Sequence, residues 1–316
     1  MWPNIPFQPE QASTIAKGMD NLYFFLTFIT LFFTAIIFLT IFYFSVKYRR
    51  RSENERPLPI EGSPVLEVVW AVIPALLTVV IFVWSASIYF QNSRPPRASA
   101  EIFAIGKQWM WQLQHPEGPR EINELHVPVN VPIKITMTSE DVIHDFYIPA
   151  FRVKKDVLPG RYTSIWFQAT KKGDYHFFCA QYCGMEHAAM IGWVHVMDPA
   201  EYEKWLSGSS SGETMEIKGA RLFTQLGCNT CHVADGSGRG PSFVNLYGTP
   251  VKLTDGRTVV ADDAFIRGCI LTPFQQLVAG YPPLMPTFRG QVSEEQILQL
   301  IAYIKSLAAP KGGTQQ

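Results

Sequence analysis

Residues 179–190 read "CAQYCGMEHAAM". Two cysteines sit four positions apart, with a histidine four further on and a methionine three beyond that. A disulfide between Cys179 and Cys183 would suit an oxidising compartment, but it gives His187 and Met190 nothing to do. Zinc accepts thiolate and imidazole and has no use for a thioether. Thiolate, imidazole and thioether together select copper. A mononuclear blue site needs one cysteine, whereas two on one loop let each sulfur bridge two coppers, with a histidine terminal on each metal. The loop supplies His187, so a second histidine must come from elsewhere. Of His115, His126, His144, His176 and His195, we select His144, because "SEDVIHDFYIP" ends one strand and opens a loop that can face the metal loop. His176 lies in the strand leading into Cys179 and is expected to pack among Tyr175 and Phe177. The other three are expected to be structural or on the surface.

Such a loop needs a β scaffold, and its surroundings supply one. "DYHFFC" runs into it and "IGWVHVMD" runs out, while "IKITMTS" and "YTSIWFQAT" lie upstream, separated by turns such as "PVNVP", "LPGR" and "KKGD". β-branched and aromatic runs at this spacing predict a sandwich or barrel over residues 98–206.

Further upstream, "LYFFLTFITLFFTAIIFLTIFYFSV" (residues 22–46) carries no charge, and residues 68–90 form a second uncharged run. Roughly 20 apolar residues span a bilayer, so residues 1–97 read as a transmembrane hairpin, with helices over about 22–46 and 66–90. The first run exceeds the apolar core of a secretory signal, and no small-residue cleavage site follows it. The connector carries Lys47, Arg49, Arg50, Arg51 and Arg56, against Lys17 alone before the first helix. By the positive-inside rule the connector is cytoplasmic, and both chain ends face the periplasm of a cell inner (plasma) membrane. Lysine and arginine total 27, as do aspartate and glutamate. That balance implies no polyanion partner and no nucleic acid.

Downstream, "SGSSSGE" marks a flexible linker, residues 207–215. Residues 216–310 then read as a small all-α domain. "CNTCH" (residues 228–232) is the covalent attachment signature of a c-type haem, with Cys228 and Cys231 adding to the porphyrin and His232 beneath the iron. A zinc site would need further ligands, and only Cys269 follows. Met285, in "YPPLMPTF", is the one methionine after the motif and so the second axial ligand; a His/Met pair raises the potential. Cys269 is expected to be a small buried apolar residue. Ser293 with Gln296 forms a capping box for a last helix striped by Ile297, Leu300, Ile301, Ile304 and Leu307.

This C-terminal domain resembles a class I cytochrome c over about ninety residues. Gly219 and Phe223 in "GARLFTQLG" match the family's N-terminal helix, Tyr303 lies on the helix that crosses it, and "GPSFVNLYG" implies that the Pro241 carbonyl holds the His232 ring. "HDFYIP…LPGR…CAQYCGMEHAAM" resembles subunit II of the haem-copper cytochrome c oxidases, over residues from about 20 to 206. The resemblance implies a cupredoxin-like fold with a dinuclear CuA centre held by His144, Cys179, Cys183, His187, Met190 and the backbone carbonyl of Gln181. The family usually has glutamate at that last position, where its carboxylate binds a magnesium ion. Glutamine leaves the copper ligand intact and puts the magnesium in question. "GKQWMWQ" matches the family's electron-entry patch, with Trp109 the entry tryptophan, and "LEVVWAVIPA" places Glu67 at the mouth of a proton path.

The expected activity follows from these resemblances: a cytochrome c oxidase electron-entry subunit. Electrons from a periplasmic donor would pass through haem c and CuA to the haem of subunit I, where oxygen is reduced to water with proton translocation. Neither a nucleophile nor a substrate pocket is legible in the chain. A free-standing membrane-anchored carrier is a rival reading, opposed by the hairpin and Glu67. The equivalent subunit of a CuA-containing nitric oxide reductase is a nearer one.

Overall fold

The computed structural model describes residues 8–56, 62–209 and 213–308. They form two units, residues 14–94 and the rest. In the first, α1 (Ala16–Lys47) and α2 (Pro64–Ser93) are the two long apolar helices. Ser63 caps α2 by accepting from the Leu66 N–H, and Pro64 at the first turn removes a donor that has no helical partner anyway. The helices meet at Phe25 and Trp84, whose rings are 5.3 Å apart. Most of their other apolar side chains are exposed or only partly covered, as suits lipid rather than water.

The second unit begins with a ten-strand β domain. One sheet contains β1 (Ala100–Lys107), β2 (Met110–Gln114), β3 (Arg120–Ile122), β5 (Pro132–Ser139) and β8 (Thr163–Gln168), in the order β3-β2-β1-β5-β8. The other contains β4 (Glu124–Pro128), β6 (His144–Ile148), β7 (Val153–Val157), β9 (Gly173–Cys179) and β10 (Ile191–Met197), in the order β4-β10-β9-β6-β7. The pairs β1–β5 and β4–β10 are parallel. Trp111 fills the space between the sheets, with Phe146 edge-on at 5.1 Å and Phe177 at 6.3 Å.

Ala12 and Ser13, expected within the hairpin segment, belong to this domain. Ala12 donates to the Ala150 carbonyl and accepts from the Thr170 N–H, covering edge backbone that would otherwise need water. The expected linker is also shorter than read. α3 (Pro199–Ser209) carries Ser207, Gly208 and Ser209 in helix, anchored by Tyr202 and Trp205 against His115 and His126. At its far side Met215 is buried and donates its N–H to the Pro116 carbonyl, so it is packed rather than free. Residues 210–212 of that segment, and 309–310 of the last domain, lie outside the described residues.

The last part packs α4 (Met215–Gln225), α5 (Asp263–Leu271) and α6 (Glu294–Ser306), with one short hairpin of β11 (Pro250–Lys252) and β12 (Thr258–Val260). α4 and α6 cross at Gly219, where an added Cβ would lie 2.0 Å from the Gln299 carbonyl oxygen. Only glycine permits that approach. Phe223 and Tyr303 meet beside it at 5.3 Å. The Ser293–Gln296 capping box starts α6.

α6 has no solvent face along most of its length. Ile297, Leu300, Ile301 and Ile304 pack into their own domain. Leu298, 1% exposed, packs with Met215, 1% exposed, against Phe103 and Ile105 of β1. Lys305 joins Glu101 of β1 and Asp263 of α5, each at 3.0 Å. Arg267 of α5 donates to the Gly160 carbonyl at 2.6 Å and pairs with Glu294. The two domains are thus docked through packed apolar side chains rimmed by charge.

Candidate metal centre

β9 ends on Cys179 and β10 begins at Ile191, so residues 180–190 bridge an antiparallel pair. The Cys179 N–H donates to the Met190 carbonyl at 3.0 Å, closing the loop, and Ala180 donates to the Asp145 carbonyl at 2.9 Å, tying it to β6. His144 opens β6 and is buried. These elements bring six donors together. The two sulfurs lie 3.7 Å apart, His144 Nδ1 is 3.9 Å from Cys179, and His187 Nδ1 is 3.5 Å from Cys183. Met190 Sδ lies 3.9 Å from Cys183, and the Gln181 carbonyl oxygen lies 3.1 Å from Cys179. Each thiol therefore has an imidazole beside it, and a thioether and a carbonyl complete the set. Two thiols, each with an imidazole beside it, would suit a copper pair.

Neighbouring groups fix the donors. His144 donates its Nε2–H to Asp141 at 2.7 Å, which turns Nδ1 toward the sulfurs. Gly106 of β1 lies against that ring: a Cβ there would be 2.9 Å from His144 Cδ2. Burial resists ionisation of both thiols, and the two respond oppositely. Burial and the neighbouring Cys179 push Cys183 up to about 12. For Cys179, the neighbouring His144 ring and backbone groups outweigh burial and bring it down to about 6.

Trp109 lies at this loop. Its indole N–H donates to the Cys183 carbonyl at 3.2 Å, beside Gln108 Nε2 at 2.7 Å from the same oxygen. The Gln108 N–H donates to Asp141, so the 108–109 pair touches both the loop and the partner of His144. Asp141 and Gln108 are positioning residues that our sequence reading passed over, although both lie inside stretches it quoted. The remaining histidines stand apart. His115 and His126 share Glu121, and His195 pairs with Glu124 and Asp174. His176 does not pack between Tyr175 and Phe177 as expected. Strand alternation sends those two inward and His176 outward, onto Trp193 at 3.5 Å. Glu67 lies in the first turn of α2 and is exposed.

The second site is a cavity of about 410 Å³ lined by Cys228, Cys231, His232 and Met285 among apolar side chains including Phe223 and Leu300. His232 donates its Nδ1–H to the Pro241 carbonyl at 2.7 Å, leaving the Nε2 lone pair available. Burial lowers its pKa, against the opposing pull of that carbonyl, so the ring is neutral as a ligand must be. Phe243, two residues past Pro241, stacks on it at 4.3 Å. Thiols, imidazole and thioether on one apolar cavity fit a covalent haem. Cys269 is half-buried on the cavity wall, and burial pushes its thiol up to about 11.

Comparison with known proteins gives three family matches. Residues 1–88 match the transmembrane domain of cytochrome c oxidase subunit II, residues 120–196 match its periplasmic domain, and residues 217–308 match cytochrome c. A cytochrome c oxidase subunit 2 of Alkalihalophilus pseudofirmus is 30% identical over 292 residues, covering 86% of this chain and 82% of that protein. One of Thermostichus vulcanus is 28% identical over 251 residues, covering 62% of this chain and 76% of the other. A solved periplasmic domain of cytochrome oxidase subunit II of Bradyrhizobium japonicum is 35% identical, with a TM-score of 0.36, over 37% of this chain and 96% of that one.

Proposed function

Since the chain belongs to the cytochrome c oxidase subunit II family, we propose that it conducts electrons inward through the two sites just described. It is the electron-entry subunit of a cytochrome c oxidase, carrying a cytochrome c domain of its own. The reduction of oxygen belongs to subunit I, with which subunit II proteins associate. The alternatives of a nitric oxide reductase subunit or a free carrier are not favoured. A copper pair and a covalent haem supply one-electron relays when bound; the chain's work is to hold and insulate them.

We assign the copper ligands to His144, Cys179, Cys183, His187, Met190 and the Gln181 carbonyl. The haem attaches at Cys228 and Cys231, with His232 and Met285 axial and Pro241 orienting the histidine. Trp109 is assigned to electron entry from outside, through its hydrogen bond to Cys183. Glu67, at the start of α2, is assigned to proton uptake. Gln181 offers no charge, so a magnesium ion at this position would need its carboxylates from elsewhere. We assign the donor role to a periplasmic redox protein, and the connector's positive charges support a topology with both chain ends on that side of the plasma membrane.

The convergence of six donors at the β9–β10 turn carries this reading. Metal analysis of the purified chain should give two coppers per haem. Cys183→Ser should abolish the mixed-valence copper signal while the haem spectrum stays. Zinc in place of copper, or a single blue copper, would overturn the assignment.

A further inference from the structure

β1 is enclosed on both sides. Its inner residues Ile102, Ala104 and Gly106 face the sheet sandwich, and Gly106 lies against the ring of His144. Its outer residues Phe103 and Ile105 lie under α6, packed against Leu298. The opposite side of α6 presents Leu300 and Ile304 to the haem cavity. An unbroken series of packed atoms therefore runs from the cavity across one helix, about 10 Å thick with its side chains, to β1 and a copper-ligand histidine. Trp109 reaches the copper loop from a different direction, through the Cys183 carbonyl.

We propose that β1 is the internal conduit, so that an electron leaving the haem reaches the copper pair through Leu298, Ile105, Gly106 and His144, not through Trp109. This rests on the function proposed above. The step moves one electron: ferrous haem becomes ferric, the oxidised copper pair becomes one electron more reduced, and no bond or proton changes. Tunnelling weakens steeply with distance and favours packed atoms over solvent, and this series crosses a single helix between the cavity and the His144 ring. The Lys305–Glu101 pair holds α6 on β1 and the Arg267–Gly160 contact ties α5 to the β domain, so the conduit is a fixed feature of the docked domains. Leu298 is then a positioning residue for electron transfer. Trp109 is left to serve electrons that arrive from outside.

The test uses the full chain loaded with haem and copper, bearing Leu298→Asp, with Glu101→Lys as a second way to loosen the docking. Spectra come first: missing haem or copper in the parent chain would count against the proposed function, not the conduit. With both spectra intact, haem-to-copper transfer after photoreduction should slow at least tenfold in each variant. Met215, buried under α6, should become open to peroxide oxidation, a readout independent of turnover. Leu298→Met should restore both. An unchanged transfer rate in both variants overturns the conduit, as does Trp109→Phe slowing the transfer as much as Leu298→Asp.

Discussion

The copper end of the β domain and the core of the cytochrome domain solve one problem in opposite ways. At the β9–β10 turn the six donors already stand within 3.9 Å of a neighbour, placed by strand register and tied by Asp141 and Gln108. In the cytochrome domain the ligands line a cavity of about 410 Å³, and the helices form a shell around it. The first site is a product of its fold. The second domain needs its cofactor to complete its core.

The largest expected effect tests that contrast. At roughly 24 cal/mol per Å³, a cavity of about 410 Å³ corresponds to about 10 kcal/mol, comparable to the whole stability of a domain. Cys228→Ser with Cys231→Ser should therefore leave residues 213–308 open to protease, while the β domain persists with its sheet circular dichroism. Chelating the copper from the parent chain should lower the melting temperature without unfolding the β domain. A β domain that collapses on losing copper would break the comparison.

A middle-sized effect lies at the seam between the regions. Burial opposes the charge on Glu101, but Lys305 and Lys134 outweigh it and hold its carboxyl at about 2, below its usual 4.5. A depressed carboxyl stabilises above its unfolded pKa and loses that contribution as pH falls through the folded one. Lys134 belongs to the β domain itself, so only the Lys305 share of this shift crosses the seam; docking should be at full strength above about pH 5 and weaken as pH falls toward 2. Peroxide oxidation of Met215 followed against pH would show it. Glu101→Gln should remove that dependence.

The smallest effect concerns Gln181. Copper would see only its carbonyl, and the side chain is exposed. Gln181→Ala should leave the copper spectrum and metal content unchanged. A loss of copper would mean that the amide itself holds the loop.

These contrasts also explain what the sequence disclosed. Side chains at fixed short spacings, such as Cys179 with Cys183 and Cys228 with Cys231, are local, and so their proximity was legible. The nearness of His144 to the loop was legible because its strand-end setting restricts where it can point. Asp141 and Gln108 escaped because their importance is set by what lies across the loop. β1 escaped for a similar reason: "AEIFAIGK" is apolar on both faces, which signals enclosure but not by what. The stripe on α6 revealed one buried face, and Leu298 on the other face became meaningful only against Ile105. The linker was misjudged at both ends because serine and glycine composition says nothing of Trp205 anchoring α3, or of Met215 packing under α6.

The enclosure of α6 changes the kinetic order of electron delivery. A soluble carrier must find its partner by diffusion, and that encounter is steered by exposed charge and weakened as salt rises. A cytochrome seated on β1 by Leu298 and Lys305 has no encounter to make. The proposed transfer to copper would be unimolecular, independent of protein concentration and nearly indifferent to ionic strength, because partly buried ion pairs are screened much less than exposed ones. Salt should then act on a single step of the chain's work, the arrival of the electron from outside.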